Sequence, residues 1–157
     1  PGFGKSTGDI KNEKQLLDDV QIGYDYLKKK YSENQIVILG YSIGTGPSAY
    51  LASKNHPKNL IFVSPYYSFK TLSKTKVPFV PSFILKYPLE TNKFLQNINL
   101  PIYIFHGNED SVIPIENSRK LTKELNKPTI SFTEIQNIGH NGILKNYYLQ
   151  QKMDSIL

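Results

Sequence analysis

An α/β fold, a parallel sheet with flanking helices, is predicted from three observations. Short apolar runs recur at Ile36–Leu39, Leu60–Val63 and Ile102–Phe105, and Thr129–Ile135 reads as a fourth strand. Stretches with helical spacing separate most of them, the pattern of strand–helix alternation. The first run is β-branched and carries no polar residue on either face, as a strand covered on both sides requires. The 157 residues suit one domain with a real core.

Taken in order, Pro1–Asp9 is glycine-rich and reads as a loop. Asn12–Tyr31 reads as a helix, with Leu16, Val20, Tyr24, Leu27 and Tyr31 on one face and Asn12 with Gln15 resembling a capping box. A turn at Ser32–Gln35 leads into the first strand. A helix follows it to about Asn55, then the second strand ends at Ser64-Pro65. Strand, helix and strand at this spacing make a right-handed parallel unit. Tyr66–Asn99 is rich in aromatics and prolines and is too long for a plain connection. It reads either as a packed surface excursion or as a small cap whose aromatics line an apolar substrate pocket. Ser82–Tyr87 is a candidate short helix within it. The third strand runs into His106–Pro114, and a helix spans Ile115–Leu125 with Pro114 at its start. After the fourth strand come a loop at Asn137–Gly142 and a final helix, Ile143–Leu157.

The chemistry centres on Gly40-Tyr41-Ser42-Ile43-Gly44, directly after the first strand and before a helix. That context makes G-x-S-x-G a nucleophile elbow rather than a chance turn. Ser42 must take a strained backbone conformation, and Gly40 and Gly44 leave room for the neighbouring strand and helix. The amide of Ile43, at a helix N-terminus, can face an oxyanion. Two other motifs carry less. Gly44–Ala49 fits a dinucleotide fingerprint but begins past the strand, with no acidic residue closing a second strand. Gly2–Thr7 looks like the end of a phosphate loop without its first glycine.

A serine nucleophile needs a neutral imidazole to take its proton, and the imidazole needs a carboxylate. His140 is flanked by glycine and follows the last strand, where such a base belongs. His56, beside Pro57, reads as structural, as does His106, bonding the backbone of its turn. The acid is Asp110 or Glu109.

Composition narrows the class. There is no cysteine, hence no disulfide or thiol chemistry. No apolar run reaches transmembrane length and no signal peptide is visible. No metal or cofactor is called for. The net charge of +6 comes almost wholly from scattered lysines, with Arg119 the only arginine. Nucleic-acid binding is therefore not expected, and weak contact with an anionic membrane surface is a minor alternative. Oligomeric state stays open, and the cytoplasm is the favoured compartment.

These residues resemble the α/β-hydrolase superfamily, and more narrowly its Bem46-like and serine-aminopeptidase-like branch, over essentially the whole chain. Pro1–Ser6 resembles the glycine loop after the fourth strand of that fold, Gly40–Gly44 the elbow, and Ser64-Pro65-Tyr66 its small-Pro-aromatic turn. His106-Gly107, Asp110 and Val112-Ile113-Pro114 resemble the acid loop, and Gly139-His140-Asn141 the histidine loop. The resemblance selects Asp110 over Glu109 and implies the site Ser42, Asp110 and His140, with Ile43 in the oxyanion hole. It implies a serine hydrolase of esters or thioesters. The aromatic stretch suggests an apolar, lipid-like acyl group, with Tyr41, Tyr66, Phe69 and Phe83 as pocket residues. Cleavage of peptides or amides and a non-catalytic binding module are the alternatives. The resemblance also implies four earlier strands and a second oxyanion donor. Because the chain starts at Pro1, not Met, the expectation is a C-terminal part of a longer domain. The first strand would then be an apolar edge.

Overall fold

A computed structural model describes residues 5–72 and 87–157. Four strands form one parallel sheet in the order β1-β2-β3-β4: β1 Val37–Tyr41, β2 Asn59–Val63, β3 Ile102–Gly107 and β4 Ile130–Ile135. Helices α1 (Glu13–Lys28), α2 (Thr45–Lys54), α5 (Glu116–Leu125) and α6 (Tyr147–Ile156) surround it, and α3 (Phe69–Leu72) and α4 (Thr91–Phe94) are single turns. This is the α/β architecture read from the apolar runs.

Alternation along the strands divides the core in two. Ile38, Leu60, Phe62, Ile102 and Ile104 point to one face, where Tyr24 of α1, Ala49 and Ala52 of α2, and Leu121 of α5 cover them. Ile61, Val63, Phe105 and Ile135 point to the other, under Leu149 of α6. All five residues of β2 are buried, as befits an inner strand of a parallel sheet. The strand at Ile36 departs from the expectation of cover on both sides and agrees with the expectation of an apolar edge. It lies at the end of the strand order and leaves Leu39 44% exposed, so only one of its faces is fully covered.

Local signals set the helix ends. Asn12 accepts from the Gln15 amide at 2.8 Å, but Gln15 Oε1 accepts from the Lys11 amide instead of closing the box on Asn12. α1 ends at Lys28, one turn before the expected Tyr31. The final helix is also divided. A 3-10 segment, His140–Lys145, precedes Asn146, whose side chain accepts from the Leu149 amide and starts α6.

The aromatic excursion is described at its two ends. Tyr66, Phe69, Leu72 and Leu89 pack with Leu17 and Ile113 in a third apolar cluster. Tyr87 donates its hydroxyl to the Ile10 carbonyl. Phe83, and the candidate short helix as far as Lys86, lie outside the described residues. So do Pro1–Gly4, which include three of the six residues of the phosphate-loop resemblance.

Candidate active site

Parallel strands deliver their loops to the same end of the sheet, and three of those loops meet there. The first follows β1. Its register leaves Tyr41 beside Val63, and the chain then turns sharply into the helical segment that becomes α2. Ser42 takes φ 52°, a left-handed conformation that a side chain rarely adopts, so the elbow is strained as its pattern predicts. A Cβ on Gly40 would sit 2.7 Å from Ser48 Oγ and 2.9 Å from Thr45 Cα, which accounts for this glycine. Gly44 does not behave as expected. Its φ is −67° and a Cβ there would meet open space. The crowded second position is Gly46, where a Cβ would fall onto the Tyr66 hydroxyl. The steric demand comes from a partner twenty residues away, which the local pattern does not contain. It also accounts for one of the two dinucleotide-like glycines, Gly46, as a packing position inside α2.

The second loop follows β3. Asp110 is buried, and Oδ1 accepts from the Val112 amide at 3.0 Å and the Ile113 amide at 2.8 Å. The third follows β4 and carries His140, 9% exposed. The two loops pack backbone to backbone: the Glu109 amide donates to the Ile138 carbonyl, and a Cβ on Gly107 would approach that carbonyl oxygen to 2.2 Å. Gly107 is therefore obligatory for this approach.

The three side chains form one hydrogen-bonded line. Ser42 Oγ lies 2.9 Å from His140 Nε2, and His140 Nδ1 lies 2.7 Å from Asp110 Oδ2. Burial alone would raise the Asp110 carboxyl. Hydrogen bonds from His106, His140 and the Ile113 amide outweigh it and hold the group well below the usual carboxylate range. An ionised carboxylate only accepts, so the proton of His140 sits on Nδ1 and Nε2 is free to accept from Ser42. Glu109, the rival acid, is exposed at the surface. The Ile43 amide stands in the first helical turn, where no carbonyl of a preceding turn can reach it.

Tyr41, expected in a substrate pocket, is instead bound to the histidine loop. Its hydroxyl donates to the His140 carbonyl at 2.9 Å, and its ring stacks on the imidazole at 5.2 Å and 27°. Tyr66 and Phe69, also expected there, are fully buried, with ring centroids 4.3 Å apart. The open apolar space lies elsewhere. A cavity of about 370 Å³ begins at Ile43 and Gly44 and is lined by Leu16, Val20, Pro47 and Leu51.

His106 is buried and bonded to the Ile113 carbonyl at 2.8 Å, the structural arrangement read from its turn. It also approaches Asp110 Oδ2 to 3.3 Å, which the sequence reading did not include. The signal available was the four-residue spacing from His106 to Asp110. His56 stands apart from these loops, its amide bonded to Glu33. Among the described residues no group of three or more His, Asp or Glu is arranged to hold a metal ion. No described helix is long and apolar enough to cross a membrane.

Comparison with known proteins agrees with this architecture. Alpha/beta hydrolase L404 of Acanthamoeba polyphaga mimivirus is 34% identical over 157 residues, covering 96% of this chain and 57% of that protein. Lysophosphatidylserine lipase ABHD12 of Rattus norvegicus is 27% identical over 157 residues, covering 86% and 38%. The chain thus spans little more than half of the first relative and less of the second. An alpha-beta serine hydrolase homologue from Coxiella burnetii has the same fold at a TM-score of 0.74 and 22% identity, over 100% of this chain and 65% of that one. The dienelactone hydrolase family model matches residues 5–141. With strands, elbow and loops in the order of an α/β-hydrolase, this chain belongs to the dienelactone hydrolase family.

Proposed function

We propose that the protein is a serine hydrolase of carboxylic esters or thioesters with an apolar acyl group. The observation that carries the reading is the line Ser42 Oγ–His140–Asp110, with separations of 2.9 and 2.7 Å. The first lies within the range over which a base can take a proton from its nucleophile, and the second is a hydrogen bond that orients that base.

Ser42 Oγ attacks the acyl carbonyl carbon as its proton passes to His140 Nε2. The carbonyl oxygen becomes an oxyanion facing the Ile43 amide. Collapse of the tetrahedral intermediate breaks the bond to the alcohol or thiol, which leaves with the proton from Nε2. Water then repeats the sequence on the acyl-serine and releases the carboxylic acid. Asp110 stays ionised throughout and stabilises the imidazolium.

The apolar cavity adjoining the elbow supports an apolar acyl group, as does similarity to the ABHD12 relative, a lysophosphatidylserine lipase. The acid loop, His106-Gly107 through Pro114, supports a place near the Bem46-like and serine-aminopeptidase-like branch. The whole chain is read as part of one hydrolase domain, with residues 66–99 as a cap-like excursion.

The test is labelling by a fluorophosphonate, read by intact mass. One adduct on Ser42, absent from Ser42→Ala, is expected, together with turnover of a medium-chain p-nitrophenyl ester. The same test is run on the full-length protein, because this chain spans only part of its relatives and an isolated part can be inactive. A full-length protein that neither labels nor turns over ester is a binding module rather than a hydrolase.

A further inference from the structure

His106 is a buried, fully enclosed histidine that the proposed reaction does not use. Its surroundings are defined on every side. Nε2 lies 2.8 Å from the Ile113 carbonyl oxygen, a group that can only accept, so Nε2 carries a proton. Nδ1 lies 2.7 Å from the hydroxyl of Ser118, itself buried on α5. The ring is thereby pinned between the acid loop and the helix that follows it. Nε2 also lies 3.3 Å from Asp110 Oδ2. That oxygen accepts from His140 Nδ1 at 2.7 Å, while Oδ1 takes the Val112 and Ile113 amides. Three donors thus hold the carboxylate, and the edge of a second histidine closes on one of its oxygens.

We propose that His106 is a positioning residue for the Ser42–His140–Asp110 site, holding Asp110 Oδ2 and drawing off part of the negative charge that His140 would otherwise receive. The inference rests on the hydrolase reading and extends it. Mechanical support is the first consequence. The amides on Oδ1 and His140 on Oδ2 already resist rotation of the carboxylate about its Cβ–Cγ bond, and the buried His106 ring adds a further contact at Oδ2, so His140 Nδ1 finds its acceptor in one place. Electrostatic tuning is the second. A hydrogen bond donated to a carboxylate lowers its basicity, and a less basic partner stabilises the imidazolium less. His106 therefore keeps His140 available as a base at lower pH than an otherwise identical site without it.

Other charges around the group do not compete for this role. Glu134 is the register partner of His106 on β4, but Arg119 of α5 holds it at 2.8 Å. Glu109 is exposed. Tyr41, stacked on His140 from β1, carries its proton in the neutral range, its hydroxyl pushed up by burial and then by the Asp110 charge.

The experiment has two parts. In the unaltered protein, ¹⁵N NMR of the histidines is expected to show His106 with a proton on Nε2 from pH 5 to 9. An Nδ1–H tautomer lacking the Nε2 proton would overturn the proposal. The second part follows fluorophosphonate labelling of Ser42 against pH in the wild type, His106→Leu and His106→Gln. His106→Leu should shift the acid limb upward by roughly half a unit to one unit and slow labelling at its plateau about tenfold. His106→Gln retains an N–H donor and should recover most of both. Unchanged acid limb and plateau in His106→Leu would overturn the proposal. Should His106→Leu not fold, His106→Gln and the NMR carry the test: a glutamine variant whose limb differs from wild type by more than the leucine change predicted above counts against it. Failure of the wild type to label at any pH would instead strike the hydrolase reading. The tautomer and the His140 titration, read by NMR, would still report on His106.

Discussion

Tyr41 is tied to the candidate site through the histidine loop. Two contacts join it to His140, one through the hydroxyl and one through the ring. They separate experimentally. Tyr41→Phe removes a hydrogen bond of about 1 kcal/mol and keeps the stack, so labelling should slow several-fold with the acid limb unmoved. Tyr41→Leu also removes the aromatic face, which favours a cation above it, so its acid limb should move to lower pH. A pH series of labelling rates on both variants checks this. Neither contact was legible in the sequence, where Tyr41 and His140 lie 99 positions apart. Ser42, Asp110 and His140 were legible because each sits in a short motif whose neighbours share its purpose: glycine before the elbow, hydrophobics after the acid, glycine before the histidine. The choice of Asp110 over Glu109 still needed the family resemblance, since two adjacent acids in a loop look alike until burial separates them.

The elements around the site hold it by close approach of backbone. Gly107 lets β3 deliver the acid loop against Ile138, and Gly46 lets α2 lie over Tyr66. Gly107→Ala should cost about 3 kcal/mol, because a carbonyl oxygen is the colliding atom and cannot swing away. Gly44→Ala, which meets open space at a helical φ, should be neutral or stabilising by about 0.5 kcal/mol or more. Thermal denaturation of both variants tests the contrast. It runs against the motif, in which Gly44 is the named position and Gly46 and Gly107 are not. Strands were read to within one or two residues because an apolar run in a parallel sheet is nearly all core. The last helix was misjudged at its start because Asn146 is an unremarked polar residue until its side chain is seen to cap Leu149. The cap-like excursion was recognised only as an irregularity of composition. At its described ends Tyr66 and Phe69, and Leu89, are core.

At the scale of the whole molecule, β2 and β3 are enclosed while β1 ends the strand order with Leu39 exposed. An apolar residue on a terminal strand invites pairing with another chain. Leu39→Lys should reduce concentration-dependent association, measured by light scattering, and leave labelling at Ser42 unchanged. The net charge of +6 opposes association in the meantime, though only weakly at physiological salt. The placement of the three loops has a kinetic consequence. Ser42 meets His140 across 98 residues, and Asp110 meets it across 30, so the proton line consists of contacts with high contact order. On the proposed mechanism Ser42 gains its base only once β4 has docked and brought its loop across, so labelling at Ser42 is expected to be a late marker of assembly. During refolding it should trail the recovery of helical signal, and a chain interrupted before His140 is translated should not label however much of its sheet has formed.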